Sequence, residues 1–361
     1  MMSIAAFIVW VVAGAIIVFD LPVQVAPAPQ DPPPPPYSPS EPTIKSTPSS
    51  KSSAQPPRRS AFSARRLTPT TFLIVETDDV FGEQPFIYAK LVPAANTLVL
   101  LDTGCGGRSR DHGVEITSLR EFIETVPVTD NGGRPLNERA RLRYVVVLSH
   151  CHYDHILGVE DFAHDSPILE SAHSPTFVSR ANLPAHSQCA RLGVPTPTFT
   201  PTLVPHNTPL LSASGVPVGL TLLHTPGHTP DELALWDAVE RVLYAGDTLY
   251  ERAPIIFPAE GDIAVWLASL SELIDRVCAE SSPQDVRICC GHETAGRPAL
   301  DVLRTAEAFV RDVLDGRELV RSREERWGVW VVEYMQEGGR YSLVCPERLV
   351  LEAREKIGLN V

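Results

Sequence analysis

Positive charge is in deficit: 31 Lys and Arg stand against 44 Asp and Glu, a formal net charge of −13 over 361 residues. No long basic face offsets this, so a phosphate backbone is a poor partner and nucleic acid is read as excluded. Paired cysteine is also missing. The seven cysteines are odd in number, with Cys289 and Cys290 adjacent and the others scattered, which argues against a disulfide framework and for a reducing compartment. No internal repeat is visible. The chain lacks a comfortable membrane span as well: its apolar run from Ile4 to Phe19 ends at Asp20, slightly short of the roughly 20 residues a spanning helix prefers. No Lys or Arg precedes that run, so the positive region of an ordinary signal is absent and orientation is unreadable. Residues 1–21 read as a signal anchor or signal peptide, with membrane association through residues 4–19; a cytoplasmic body with an incidental N-terminal extension is the alternative. Large aliphatics are scarce from 22 to 68, where Pro32 to Pro36 are consecutive and Ser, Thr and Ala fill the rest, so this stretch reads as a disordered, extended linker. Arg58, Arg59, Arg65 and Arg66 read as its solvated charges. That leaves residues 69–361 as one globular domain.

What is present is a concentration of imidazole. Ser149-His150-Cys151-His152-Tyr153-Asp154-His155 follows the β-branched run Tyr144-Val145-Val146-Val147-Leu148, a buried strand whose C-terminal end delivers the cluster to a loop. His150 and His152, two apart, can point the same way from extended chain, and Cys151 between them faces the other way as packing. Asp154 and His155 turn toward a second point, so one short loop can serve two neighbouring metals. Imidazole and carboxylate suit zinc, and the lack of a thiolate set argues against a structural cysteine site. Further candidates sit at strand ends: His228 in Leu223-His224-Thr225-Pro226-Gly227-His228, Asp247 in Tyr244-Ala245-Gly246-Asp247, and His292 in Cys289-Cys290-Gly291-His292. Asp102 ends another apolar strand, Leu98-Val99-Leu100-Leu101, before Thr103-Gly104. His224 reads as a satisfied strand-end histidine; His112, His164, His173, His186 and His206 have no companion motif.

The pattern His-x-His-x-Asp-His resembles the signature of the metallo-β-lactamase superfamily, and the later residues arrive in that family's order across roughly residues 70 to 300. The resemblance implies that His150, His152 and His228 hold one metal, that Asp154, His155 and His292 hold another, and that Asp247 bridges them. It implies two Zn2+, with one Fe2+ as the alternative. Asp102 matches the family's early Asp-x-Gly element and would orient a ligand imidazole. Tyr250 lies at the offset from Asp247 where lactone-hydrolysing relatives carry a tyrosine, and reads either as an oxyanion donor or as a core aromatic.

The implied fold is the α/β four-layer αβ/βα sandwich, with metals at one edge of two sheets. Strands are expected at Phe72–Val75, Phe86–Val92, Asn96–Leu101, Val218–Leu223, Leu233–Trp236 and Val242–Ala245. Helices are expected at Ser118–Thr125, Ile263–Glu280 and Ala299–Leu314. The long, Pro- and Ser-rich connection from about 174 to 215 is expected to rim the site.

By resemblance, the implied activity is hydrolysis of a small-molecule ester, lactone or thioester by a metal-bridging hydroxide, with Asp154 and Tyr250 as catalytic residues. Asp247 argues against a true β-lactamase, and His152 against a flavodiiron protein. Alternatives are a glyoxalase II-like glutathione thioesterase, although residues 300–361 carry no glutathione motif, and a mononuclear-iron persulfide dioxygenase-like enzyme.

Overall fold

The computed structural model describes residues 58–326 and 328–359, plus the backbone of β1 (Phe7–Val12) and β2 (Ala15–Asp20), which pair antiparallel. Among the described residues no helix is long and apolar enough to cross a membrane. The proline tract and the remainder of residues 1–57 lie outside the described residues.

The first large sheet has the order β3 (Phe62–Arg66), β4 (Thr71–Glu76), β5 (Phe86–Val92), β6 (Thr97–Leu101), β7 (Arg143–Val147), β8 (Ile168–Ser171) and β9 (Thr202–Val204). It runs antiparallel through β6 and parallel from β6 to β9. Short α1 (Leu119–Thr125), α2 (Tyr153–Ile156), α3 (Leu183–His186) and α4 (Cys189–Leu192) are interspersed with the later strands of this sheet. Ser118 caps α1 by accepting from the Glu121 N–H, so the expected helix start is the cap itself.

The second sheet has the order β10 (Thr208–Leu211), β11 (Pro217–His224), β12 (Leu233–Asp237), β13 (Val242–Tyr244), β15 (Arg287–Cys289) and β16 (Ala295–Pro298). Between β13 and β15 the chain forms β14 (Pro254–Ile256) and α5 (Ile263–Cys278). Asp262 caps α5 through the Ala264 and Val265 N–H groups, and Trp266, Leu267, Leu270, Leu273 and Val277 are buried along it. Then come α6 (Ala299–Leu314), β17 (Val320–Arg326), β18 (Val329–Met335), β19 (Ser342–Pro346) and α7 (Glu347–Lys356).

Three apolar clusters define the layers. One lies between the sheets, where Val99, Leu101, Val145 and Val147 meet Leu220, Leu222, Leu235 and Tyr244. A second packs Leu100, Val146 and Leu148 against Phe122, Ile123 and Ile156 of α1 and α2. The third packs Trp236, Leu243 and Ile288 against α5, α6 and α7. Helices, sheet, sheet, helices is the expected sandwich.

Two features depart from the sequence reading. Residues 62–66, assigned to the linker, form edge strand β3, paired along its length with β4, and Ala61 and Phe62 are buried. Burial alternates along it, with Ser63 and Arg65 outward and Phe62, Ala64 and Arg66 on the other face. The arginines there are partnered: Arg66 sits over the Phe72 ring at 4.3 Å and donates to Asp130, and Arg59 pairs with Asp111. The second departure is an additional four-stranded sheet, in the order β14, β19, β18, β17, built mainly from the C-terminal residues. Expected elements otherwise shift by one or two residues; α5, for example, stops at Cys278 instead of Glu280.

Candidate metal centre

Five chain segments bring their polar residues to one edge of the sandwich, each just past a strand. Asp102 follows β6, the 149–155 loop follows β7, His228 follows β11, Asp247 follows β13 and His292 follows β15. The strands are apolar because both their faces are covered, and their polar residues can gather only where the ladders stop.

Asp102 organises the main loop. Buried at 1 % exposure with a φ of 66°, it accepts from the Ser149 N–H at 2.7 Å, the Ser149 hydroxyl at 2.8 Å and His155 Nδ1 at 2.9 Å. A non-glycine residue held in left-handed backbone is costly, and here three hydrogen bonds hold it. Since Ser149 Oγ donates to Asp102, it can accept from His150 Nδ1, 3.1 Å away. His228 Nδ1 donates to the Ile256 carbonyl at 2.7 Å, and His292 Nδ1 to the Glu83 carbonyl at 2.9 Å. In each of these four rings the outer nitrogen is held by that bond and Nε2 is the inner one; in His150 and His228, which burial keeps neutral, the inner nitrogen is bare.

The bare nitrogens converge. His150 Nε2 and His228 Nε2 lie 2.8 and 3.2 Å from His152 Nδ1. Burial holds all three imidazoles below their ordinary values, His152 at about 3, so they are neutral, and His150 and His228 turn their lone pairs toward His152 Nδ1. A second group, Asp154, His155, Asp247 and His292, lies beside the first. Asp154 Oδ2 is 3.4 Å from His155 Nε2 and 3.2 Å from His292 Nε2, while Asp247 reaches His155 at 3.3 Å and His292 at 3.7 Å. Asp247 also approaches His150 of the first group, at 3.9 Å, so its carboxylate stands between the two. Burial would lower His292, but Asp247 and Asp154 raise it to about 9; His155 is likewise raised despite burial, chiefly by Asp247. His155 Nε2 and Asp247 Oδ1 are buried without a hydrogen-bond partner.

This donor set fits a pair of metal ions. His150 Nε2 and His228 Nε2 turn lone pairs toward one point beside His152 Nδ1, where a cation can be held, and the orphaned nitrogen and oxygen lie in the neighbouring group. His150, His152 and His228 could hold one ion, Asp154, His155 and His292 another, with Asp247 able to reach both. Gly291 makes the close approach feasible: a Cβ there would stand 2.1 Å from Asp247 Oδ1.

Of the remaining candidates, Tyr250 is 2 % exposed, its ring stands edge-on to His292 at 5.5 Å, and its hydroxyl bonds Asp247. Cys151 is buried in the core under α1 and α2, facing away from the ligand groups. His224 donates through Nε2 to the Val204 carbonyl at 2.9 Å, a satisfied strand-end histidine. The connection from 174 to 215 carries α3, α4, β9 and β10, and its Ala185, Gln188 and Arg191 line a cavity of about 170 Å³ over the metal-binding groups.

Several cavity residues carried no signal in the sequence. Glu83 lies in the loop between β4 and β5, where Asp79 accepts from the N–H groups of Phe81, Gly82 and Gln84 and so folds the loop back. Tyr153 donates to Glu83, whose carboxyl burial and the nearby Asp154 raise to about 8. The facing rim is Ile256, Pro258, Ala259 and Glu260.

The model of the metallo-β-lactamase superfamily matches residues 137–292. A protein of Aspergillus versicolor described as the putative transcription factor avaE is 35 % identical over 304 residues, covering 81 % of this chain and 89 % of the relative. The chain belongs to the metallo-β-lactamase superfamily. The human acyl-coenzyme A thioesterase MBLAC2 is 25 % identical over 205 residues, 53 % of this chain and 69 % of that protein. Among solved structures, a metallo-β-lactamase family protein from Thermus thermophilus, TTHA1429, superposes with a TM-score of 0.51 at 18 % identity, covering 73 % of this chain and 86 % of that one. That likeness supports the shared fold.

Proposed function

We propose that this protein is a metal-dependent hydrolase that cleaves a small-molecule thioester, ester or lactone, with two Zn2+ ions as the resident cofactor. The observation that carries the reading is the convergence of seven donors at the floor of a cavity that Tyr250 also lines. Bound there, divalent cations supply Lewis acidity toward a carbonyl oxygen and bring the ionisation of water toward neutral pH. The chain's own residues do the rest. Asp102, Ser149, Ile256 and Glu83 fix the outer ring nitrogens, which keeps the inner ones available. Tyr250 keeps its phenolic proton, because burial and then Asp247 push its ionisation well above the ordinary range, and the hydroxyl can donate to a carbonyl oxygen as charge develops. Ile256, Pro258 and Ala259 give an apolar wall against which an acyl group can lie.

The completeness of the second donor group favours two ions over the single ion of an iron dioxygenase. From Ala299 on, the described residues form α6, three strands and α7, not the helical domain with which glyoxalase II relatives hold glutathione. The net charge of −13 weighs against nucleic acid as the partner, whatever the description of the fungal relative suggests.

Tyr250→Phe tests the reading on the metal-loaded full-length chain with a panel of thioesters, aryl esters and lactones. We expect kcat to fall roughly tenfold, with a smaller change in KM and unchanged metal content. Absence of turnover across all three classes by the metal-loaded wild type would remove the hydrolase assignment; unchanged kcat in the variant, with chemistry rate-limiting, would remove Tyr250 from it.

A further inference from the structure

The cavity over the metal-binding groups is asymmetric in charge. Its carboxyl groups are Glu83, Asp154, Asp247 and Glu260, whereas Arg191 is the one lysine or arginine among the described residues that line it. Asp154 and Asp247 are buried and belong to the floor; Glu260 and Arg191 are exposed and belong to the mouth. Arg191 is carried by α4, whose preceding residue Gln188 also lines the cavity and is held in left-handed backbone at φ 64°. Glu260 sits in the segment between β14 and α5, tied from behind by Arg348 to the Ala259 carbonyl and by Lys356 to Asp262. Burial disfavours the charged form of Arg191 and the field of the Glu260 carboxylate favours it, so the two groups at the mouth sense one another.

Opposite charges near one another at an exposed site contribute little to stability, so folding alone gives weak reason for placing both at this mouth. A guanidinium, by contrast, is planar and takes a carboxylate through two parallel hydrogen bonds. Gln188 and Arg191 bring hydrogen-bonding groups to the same lining as Ile256, Pro258 and Ala259, so a substrate in the cavity meets both.

We propose that Arg191, assisted by Gln188, is a specificity-determining residue that binds a carboxylate borne by the substrate's leaving group at the mouth of the cavity, against the opposing field of Glu260. Glu260 then acts as a competitor: its carboxylate offsets the charge of Arg191 and disfavours anions generally. The inference rests on the hydrolase reading only for where the reacting bond lies. A structural salt bridge and a clamp with a competitor differ in sign. Breaking a structural pair from either side has one effect, whereas here Arg191→Met weakens carboxylate recognition and Glu260→Gln strengthens it.

The test uses the metal-loaded full-length wild type, Arg191→Met and Glu260→Gln, with S-acetyl-3-mercaptopropanoate and its neutral primary amide as paired substrates. Loss of a charge-assisted contact is expected to lower kcat/KM for the carboxylate roughly 10- to 100-fold in Arg191→Met, mainly through KM, with little change for the amide. Glu260→Gln is expected to raise the carboxylate-to-amide ratio a few-fold. Equal losses on both substrates in Arg191→Met, or a shift of the ratio in the same direction in both variants, would overturn the clamp. Calorimetric binding of 3-(ethylthio)propanoate and its amide, which have no acyl bond to cleave, separates the two claims. A carboxylate preference that depends on Arg191 in the absence of any turnover supports the clamp while the hydrolase reading fails. Turnover without that preference overturns the clamp and leaves the hydrolase reading standing.

Discussion

Strand β13 has a buried polar cluster at each end, and the two satisfy their charges differently. Before the strand, Lys90 makes ion pairs with Asp237 and Glu240, and Glu240 also accepts from Thr68, Thr70 and Thr71. These contacts join the two large sheets, and the side chain of Lys90 is only 8 % exposed. Beyond the strand, Asp247 and Asp154 are equally buried, but among the described residues no lysine or arginine is paired with them; around them stand the imidazoles of His150, His155 and His292. Buried carboxylates need a compensating cation. At one end of β13 the chain encodes that cation as Lys90, and at the other it encodes only the donors for one. A third acidic pair, Glu170 with Asp231, has neither. Burial, then Asp231, pushes Glu170 up to about 8, and both its carboxyl oxygens lack partners.

Removing the encoded cation should give the largest change in stability. Lys90→Met leaves Asp237 and Glu240 buried and uncompensated, which typically costs about 3–5 kcal/mol. Urea unfolding should register that loss while the folded fraction keeps its full metal content; a loss below about 1 kcal/mol would mean that the cluster is solvated in practice. The acid pair without a cation should respond more gently and with a definite pH sign. Because the folded protein favours protonated Glu170, its contribution is fully present below about pH 4.5 and is lost as pH rises through about 8. Glu170→Gln mimics the protonated form, so its stability should match the wild type near pH 5 and exceed it near pH 9. Parallel pH-stability curves for the two proteins would show that Glu170 ionises freely.

The same contrast explains what the sequence made legible. All seven donors follow apolar strand runs, and their order alone carries the site, because strand ends are where a covered sheet can place polar groups. Asp102 was legible for the same reason. Glu83 was not: it reaches the site through a loop folded by Asp79, and its backbone meets His292 across 209 positions of chain. Arg191 and Glu260 belong to short rim segments without periodicity, and only the folded structure brings them to one cavity. Strand β3 escaped notice because a five-residue edge strand with two arginines and one large apolar residue looks like linker until its partner β4 is known. The sheet containing β17 and β18 was missed for a related reason: the Val320–Arg326 segment is mostly exposed and charged, and gains its register only from Val329–Met335.

The most direct test of the account is the number of metal ions that the full-length chain binds, with and without the carboxylate that stands between the two donor groups. Metal-free wild type titrated with Zn2+ and analysed by elemental quantification should take up two ions per chain, and Asp247→Asn should retain at most one under the same conditions, with hydrolysis reduced at least 100-fold (about 2.7 kcal/mol). A wild type that binds no metal, or an Asp247→Asn variant that keeps both ions and its full rate, would contradict the claim that this end of β13 is built for cations the chain does not encode.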